Sequence, residues 1–224
     1  DITPFYAESG GQAGDSGLLK GESSVFSVYD TKKSKGGHFV HVGELTAGSI
    51  RVGDTVTAAI NTDRRADIMR NHTACHLLQA ALRKVLGDHV HQAGAFYDDH
   101  ICRFDFSHFS AVTSEELAKV EAIVNRVILA AIDVQVKEMP IDEAKKLGAM
   151  ALFGEKYGDI VRVCNVPGES TELCGGTHLD NTAKVGLFKI LRESSVAAGV
   201  RRIEAVTGKN VLKFIDGQEK LLAD

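Results

Sequence analysis

His72-Thr-Ala-Cys-His76 and Cys174-Gly-Gly-Thr-His178 lie far apart in the chain, and their end residues supply three imidazoles and one thiol. That is the donor set of a tetrahedral zinc site, and sharing one ion would oblige the fold to bring a helix face against a distant glycine turn. The helix is predicted around the first motif. From Ala66 to about Leu86 helix formers dominate, and Ala74, Leu78, Leu82 and Val85 recur at steps of four, four and three, an apolar stripe. His72 and His76, four apart, share one face roughly opposite that stripe. Alone, such a pair also describes two surface histidines, and Cys174 near a loop histidine also describes a buried thiol; the combination is what points to a metal. Four protein ligands ordinarily close a structural site, whereas catalytic zinc keeps a position open. A catalytic reading therefore needs a displaceable ligand, for which His178 on its glycine turn is the candidate. Thr73 stands where an HExxH metalloprotease has its glutamate base, which argues against that class.

Around these motifs the chain reads as α+β. Residues 1–62 are glycine-rich, with strand-like runs at 25–29, 38–42 and 55–60 that predict a small N-terminal β-barrel. Thr62 or Asp63 is the expected cap of the first helix. Strands are expected at 89–97, 101–108, 133–139, 160–166, 185–193 and 200–206, forming an antiparallel sheet. Helices are expected at 114–131 behind a Ser114 cap, at 141–148, and from Gly208 to Leu222. The expected division is a glycine-rich barrel at 1–62, a zinc-binding core at 63–207 and the start of a C-terminal linker helix at 208–224.

With 224 residues, 44% of them hydrophobic, the chain can bury a core. Its net charge of −4 provides no global positive field, so any RNA contact must use a local basic patch. The cysteines at 75, 102, 164 and 174 form no CxxC pair, and no run approaches the roughly 20 apolar residues of a membrane helix, so a cytoplasmic protein without a membrane partner is expected. Asp1-Ile2-Thr3-Pro4 reads like the middle of a strand and its turn, as in a piece of a longer protein.

Through HTACH at 72–76, TELCGGTH at 171–178, FYAESGGQAGDSG at 5–17, RFDFSH at 103–108, GAMALFGEKYG at 148–158 and AGVRRIEAVTG at 198–208, the chain resembles the editing region of alanyl-tRNA synthetases. The HxxxH and CxxxH pairs alone are shared with threonyl-tRNA synthetase editing domains and freestanding AlaX trans-editing proteins; the flanking motifs are similar to the full synthetase. The resemblance implies one Zn2+ held by His72, His76, Cys174 and His178 in residues 63–207 as an editing core. It implies hydrolysis of serine, and to a lesser extent glycine, mischarged on tRNA(Ala), which is the expected partner. It also implies a contact near the scissile ester from Gln92. At the position of Cys75 the family usually carries a threonine associated with sensing the serine hydroxyl, and a thiol is the weaker hydrogen-bonding partner. The alternatives are a freestanding trans-editing deacylase and a noncatalytic zinc-stabilised RNA-binding module. Any self-association of a longer parent is expected through a segment after residue 224.

Other residues admit two readings each. Gly10-Gly11-Gln12 is not followed by GK[ST], so it is no P-loop; it reads as a tight turn near the site, with direct tRNA contact by Gly11 and Gln12 as the alternative. Arg201 and Arg202 point to opposite faces of a strand, where one can meet RNA phosphates or both can sit in salt bridges. Glu172 is either a support or proton acceptor for the site or an ordinary loop carboxylate. Lys32, Lys33 and Lys35 read as a solvated cluster.

Overall fold

The computed structural model describes residues 2–150 and 157–223, so the middle of GAMALFGEKYG lies outside the described residues. Strands β1 (Gly17–Lys20), β2 (Val25–Lys33), β3 (Phe39–Ala47) and β4 (Thr57–Ile60) pair antiparallel in the order β3-β2-β1-β4. This sheet is open, not the closed barrel expected from the glycine-rich strands. β3 and β4 stand at opposite edges, and with β1 and β4 only four residues long each, the ribbon has too few strands and too little ladder to curl shut.

Helix α1 (Thr62–Leu86) is capped by Asn61, whose side chain accepts from the Arg64 backbone N–H at 3.0 Å, just ahead of the expected Thr62 or Asp63. Its stripe of Ala74, Leu78 and Leu82 is fully buried. The opposite face is not solvent, however: His72 and His76 are only 2% and 5% exposed, so α1 is covered on both sides.

Strands β5 (Gln92–Tyr97) and β6 (Cys102–Ser107) form a hairpin. Helix α2 (Ser114–Leu129) follows, capped by Thr113 rather than Ser114 because Glu116 completes a capping box with Thr113. Strand β7 (Gln135–Pro140), helix α3 (Ile141–Lys146), and strands β8 (Ile160–Val166) and β9 (Ser170–Leu173) come next, with β7-β8-β9 forming a small antiparallel sheet. A 3-10 turn at Thr182–Val185 occupies the start of the expected 185–193 strand, which begins later as β10 (Phe188–Ala197). β11 (Val200–Thr207) and helix α4 (Lys209–Ala223) end the described chain.

The second four-stranded sheet, β10-β11-β6-β5, is antiparallel throughout. α1 and α2 pack on each other and on this sheet, joining Leu78 and Leu82 with Val120, Val124, Phe104 and Ile203 in one core. No described helix is long and apolar enough to cross a membrane.

The glycine-rich segment is fastened to this core where it matters for the site. Arg65 forms a bidentate ion pair with the buried Asp15, and Arg64 donates to the Gly14 carbonyl at 2.7 Å. At the end of β5, Tyr97 N–H donates to the Gly11 carbonyl at 2.8 Å and Ala13 N–H donates back to Tyr97 at 2.9 Å. Gly11 has φ +83, and an added Cβ would lie 2.5 Å from the Ala95 carbonyl oxygen, so this docking requires glycine.

Candidate metal centre

The loop after β9 reaches the histidine face of α1, and one donor atom from each of His72, His76, Cys174 and His178 lies within 4.8 Å of the others. Cys174 Sγ is 3.3 Å from His72 Nε2 and 3.2 Å from His178 Nε2. Zinc bonds of about 2.3 Å to sulfur and about 2.0–2.1 Å to nitrogen give tetrahedral edges of about 3.3–3.6 Å, so the donors already stand near coordination spacing. His76 Nδ1 is buried without a hydrogen-bond partner, an expensive state that a cation at the cluster relieves. Donor chemistry, spacing and this orphaned nitrogen all fit a zinc ion.

Each imidazole is oriented from behind. With Nε2 of His72 turned to the sulfur, its Nδ1–H donates to Gln12 Oε1 at 2.9 Å, and the ring stacks on Tyr97 at a centroid distance of 4.2 Å. Gln12 is itself fixed, accepting from Thr177 N–H at 2.8 Å and donating to Thr177 Oγ1 at 2.8 Å. Nδ1 of His178 faces Thr73 Oγ1 at 3.3 Å, and Thr73 also accepts from Leu179 N–H at 3.1 Å. Glu172 Oε2 is 3.5 Å from His76 Nε2. Arg162 donates to the carbonyls of Cys174 and Gly176, holding the glycine turn open toward α1. Supports of this kind fix the tautomer and ring orientation of metal-binding histidines. Gln12→Ala is therefore expected to weaken metal affinity about 10- to 100-fold with the fold intact, measured by competition with a chromogenic chelator.

Burial sets the protonation states. It pushes the imidazole of His76 down to about 3 and those of His72 and His178 well below their ordinary range, so all three are neutral and able to accept a cation. Burial also pushes the Glu172 carboxyl up to about 8. In metal-free protein the signs oppose. Below the ordinary histidine value of 6.5 the unfolded chain takes up protons that the three folded imidazoles refuse, so stability falls with pH. Glu172 acts the other way, contributing stability at low pH that is lost as pH rises from 4.5 towards about 8. Three histidines outweigh one carboxyl, and urea melts of metal-stripped protein should show lower stability at pH 5 than at pH 7 by a few kcal/mol, on the order of 1.4 kcal/mol per proton per pH unit.

Several sequence expectations are redirected. Cys75 is 1% exposed and faces the apolar core, where burial and the neighbouring Cys102 thiol raise it well above the usual thiol range. Its thiol meets the Tyr97 hydroxyl and the Cys102 thiol. Gln12 is fully buried and spent on His72 and Thr177, leaving nothing of its side chain for RNA, while Gly11 is occupied in docking to β5. Arg201 pairs bidentately with Glu193, and Arg202 pairs with Asp105 at 2.6 and 2.7 Å; both are salt-bridged. Gln92 is half-buried at the start of β5, whereas it is the other end of that strand, at Tyr97, that meets the cluster. His178, the expected displaceable ligand, is 8% exposed with Thr73 behind its ring, and Cys174 is the more exposed of the four. A cavity of about 490 Å³ opens beside the cluster, lined by Tyr6, Ser9, His72, Arg162, Cys174 and Gly176 among others.

Residues 161–204, which contain Cys174 and His178, match the family described as threonyl and alanyl tRNA synthetase second additional domain, and residues 1–64 match class II (A) tRNA synthetases. Across all 224 residues the chain is 56% identical to the alanine–tRNA ligase of Acetivibrio thermocellus and 55% identical to that of Methylobacillus flagellatus. It is 54% identical over 222 residues to the alanine–tRNA ligase of Bacillus velezensis. All of the chain, or 99% of it in the last case, is covered, but it spans only 25–26% of these relatives' length.

Proposed function

Because this chain is a homologue, from end to end, of one region of the alanyl-tRNA synthetases, we propose that it is the editing module of such an enzyme, a zinc-dependent deacylase that removes serine, and more slowly glycine, from mischarged tRNA(Ala). The observation that carries this reading is the quartet His72, His76, Cys174 and His178, with supporting hydrogen bonds behind it and a cavity of about 490 Å³ in front. A cavity of that size takes a small ligand, here the aminoacyl ester on its nucleoside.

The need for such an activity is physical. A pocket sized for alanine gains little discrimination against a ligand that adds only a hydroxyl, so a second, hydrolytic site must correct the error. When bound, zinc supplies Lewis-acid chemistry suited to an acyl ester. The chain's own residues do the positioning. His72, His76 and His178 present neutral imidazoles, Cys174 presents sulfur on the cavity side, and Gln12 and Thr73 keep two of the rings in register. Arg162 holds the carbonyls of the 174–176 turn and places a guanidinium on the cavity wall. In this reading residues 63–207 are the editing core, 1–62 a glycine-rich subdomain that delivers Gln12, and 208–224 the start of a linker.

The test is to offer zinc-loaded protein Ser-tRNA(Ala) and Ala-tRNA(Ala) and follow ester loss. Rapid loss of the seryl ester, slow loss of the alanyl ester and abolition of both by a chelator are expected. Stability of both esters with zinc bound would instead make the protein a noncatalytic RNA-binding module.

A further inference from the structure

The cavity beside the metal cluster has an outer wall supplied by another part of the chain. Its lining runs from His72, Cys174 and Gly176 to Lys33 and Phe39 on the β2–β3 hairpin. Lys33 and Phe39 are direct cross-strand partners, and the Lys33 ammonium stands 6.0 Å from the Phe39 ring centroid. Phe39 is 48% exposed, an aromatic ring left partly open at the lip of the pocket, with the Lys33 ammonium over one of its faces. The other lysines of the hairpin differ, since Lys32 is engaged with Asp30 at 3.5 Å and neither Lys32 nor Lys35 is among the residues lining the cavity.

A half-exposed aromatic ring with an ammonium over one face matches the two halves of a nucleotide: the base stacks on the open face and the phosphate meets the cation. The distance logic is set by the cavity, which is continuous from the ligand atoms to this pair and about the size of one aminoacylated nucleoside. We propose that Phe39 and Lys33 seat the 3′-terminal nucleoside of the RNA and its adjoining phosphate, positioning the ester at the metal cluster. This inference rests on the deacylase reading and names its RNA-positioning residues. It also gives the open N-terminal sheet a purpose: its edge hairpin extends over the site that α1 and the 174–178 turn build.

The test uses binding and turnover in parallel on the whole chain. The binding probe is a short RNA ending in CCA whose terminal ribose carries serine through a non-hydrolysable 3′-amide. Phe39→Ala should weaken its binding about 5- to 150-fold, the range for loss of one base–aromatic stack, and Phe39→Trp should restore it. Lys33→Ala should reduce the salt dependence of binding. With Ser-tRNA(Ala), Phe39→Ala should raise KM and leave kcat nearly unchanged, and with serine methyl ester, which has no base, it should change nothing. Zinc content should match wild type in every variant. Unchanged amide-RNA affinity in Phe39→Ala, or an equal loss on serine methyl ester, overturns the proposal. Wild-type protein that binds the amide RNA in a Phe39-dependent way yet hydrolyses no ester would sustain this seat while refuting the deacylase reading.

Discussion

Gly176→Ala is expected to weaken metal binding severely, and with it the proposed ester hydrolysis, although it adds a single methyl group. The new Cβ would lie 2.1 Å from His72 Cε1, 2.6 Å from His72 Nδ1 and 2.8 Å from Gln12 Oε1. Neither neighbour can yield cheaply. His72 is stacked on Tyr97 and hydrogen-bonded to Gln12, and Gln12 is locked at both ends of its amide by Thr177. Overpacking of this kind costs about 1–3 kcal/mol, and it falls on the ring that must hold its register. Zinc affinity should therefore drop by more than the roughly 10- to 100-fold expected for a lost supporting hydrogen bond. Gly175→Ala is the matched control for the metal: its added Cβ meets nothing within 4 Å, and zinc affinity should stay at the wild-type level. Isothermal titration with zinc, together with a deacylation time course, reads both variants.

Cys174→Ala separates a metal that does chemistry from one that only holds the fold. Cys174 contributes the sulfur on the cavity side of the cluster and is only partly buried, packed against the edge of the main core. Its removal should abolish or sharply reduce seryl-ester hydrolysis, while the thermal midpoint of the metal-free protein stays within a few degrees of wild type. Gross unfolding would mark the ion as structural, because binding energy to a site absent from the unfolded chain is folding energy. The extent of the core favours a fold that stands without metal: Leu78, Leu82, Phe104, Phe106, Val124 and Ile203 are all fully buried, and α1, α2 and the β10-β11-β6-β5 sheet supply them.

What could be read in the sequence divides by how local its cause is. The quartet was legible because ligand chemistry is carried by residue type, and the four-residue spacing on a helix fixes a shared face. Cys75 was legible too, had the wheel been carried one residue further. It stands three before Leu78 and seven before Leu82, which puts it at the edge of the core-facing stripe, although it is also three after His72. Thr73 could have been found by asking what accepts the second N–H of a ligand imidazole, since it is the small hydroxyl next to His72. Gln12 carried no such signal. Its contact with His72 spans 60 positions and exists only because Arg64 and Arg65 fasten the 14–15 segment to α1 while Tyr97 fastens residues 11–13 to β5. The N-terminal sheet misled for a related reason: β-branched runs predict strands, but closure is decided by strand number and edge pairing, which no run encodes. The arginines at 201 and 202 alternate as expected, yet the acids they pair with, Glu193 diagonally and Asp105 directly across, come from neighbouring strands whose register is a property of the folded sheet.

The central claim is that one ion is held by three imidazoles and one thiolate, and X-ray absorption at the zinc edge tests it most directly. Zinc-loaded protein at one equivalent should give a shell of one sulfur at about 2.3 Å and three nitrogens at about 2.0–2.1 Å, and the sulfur should vanish in Cys174→Ala. A sulfur-free shell in the wild type, or no stoichiometric zinc at all, would contradict it.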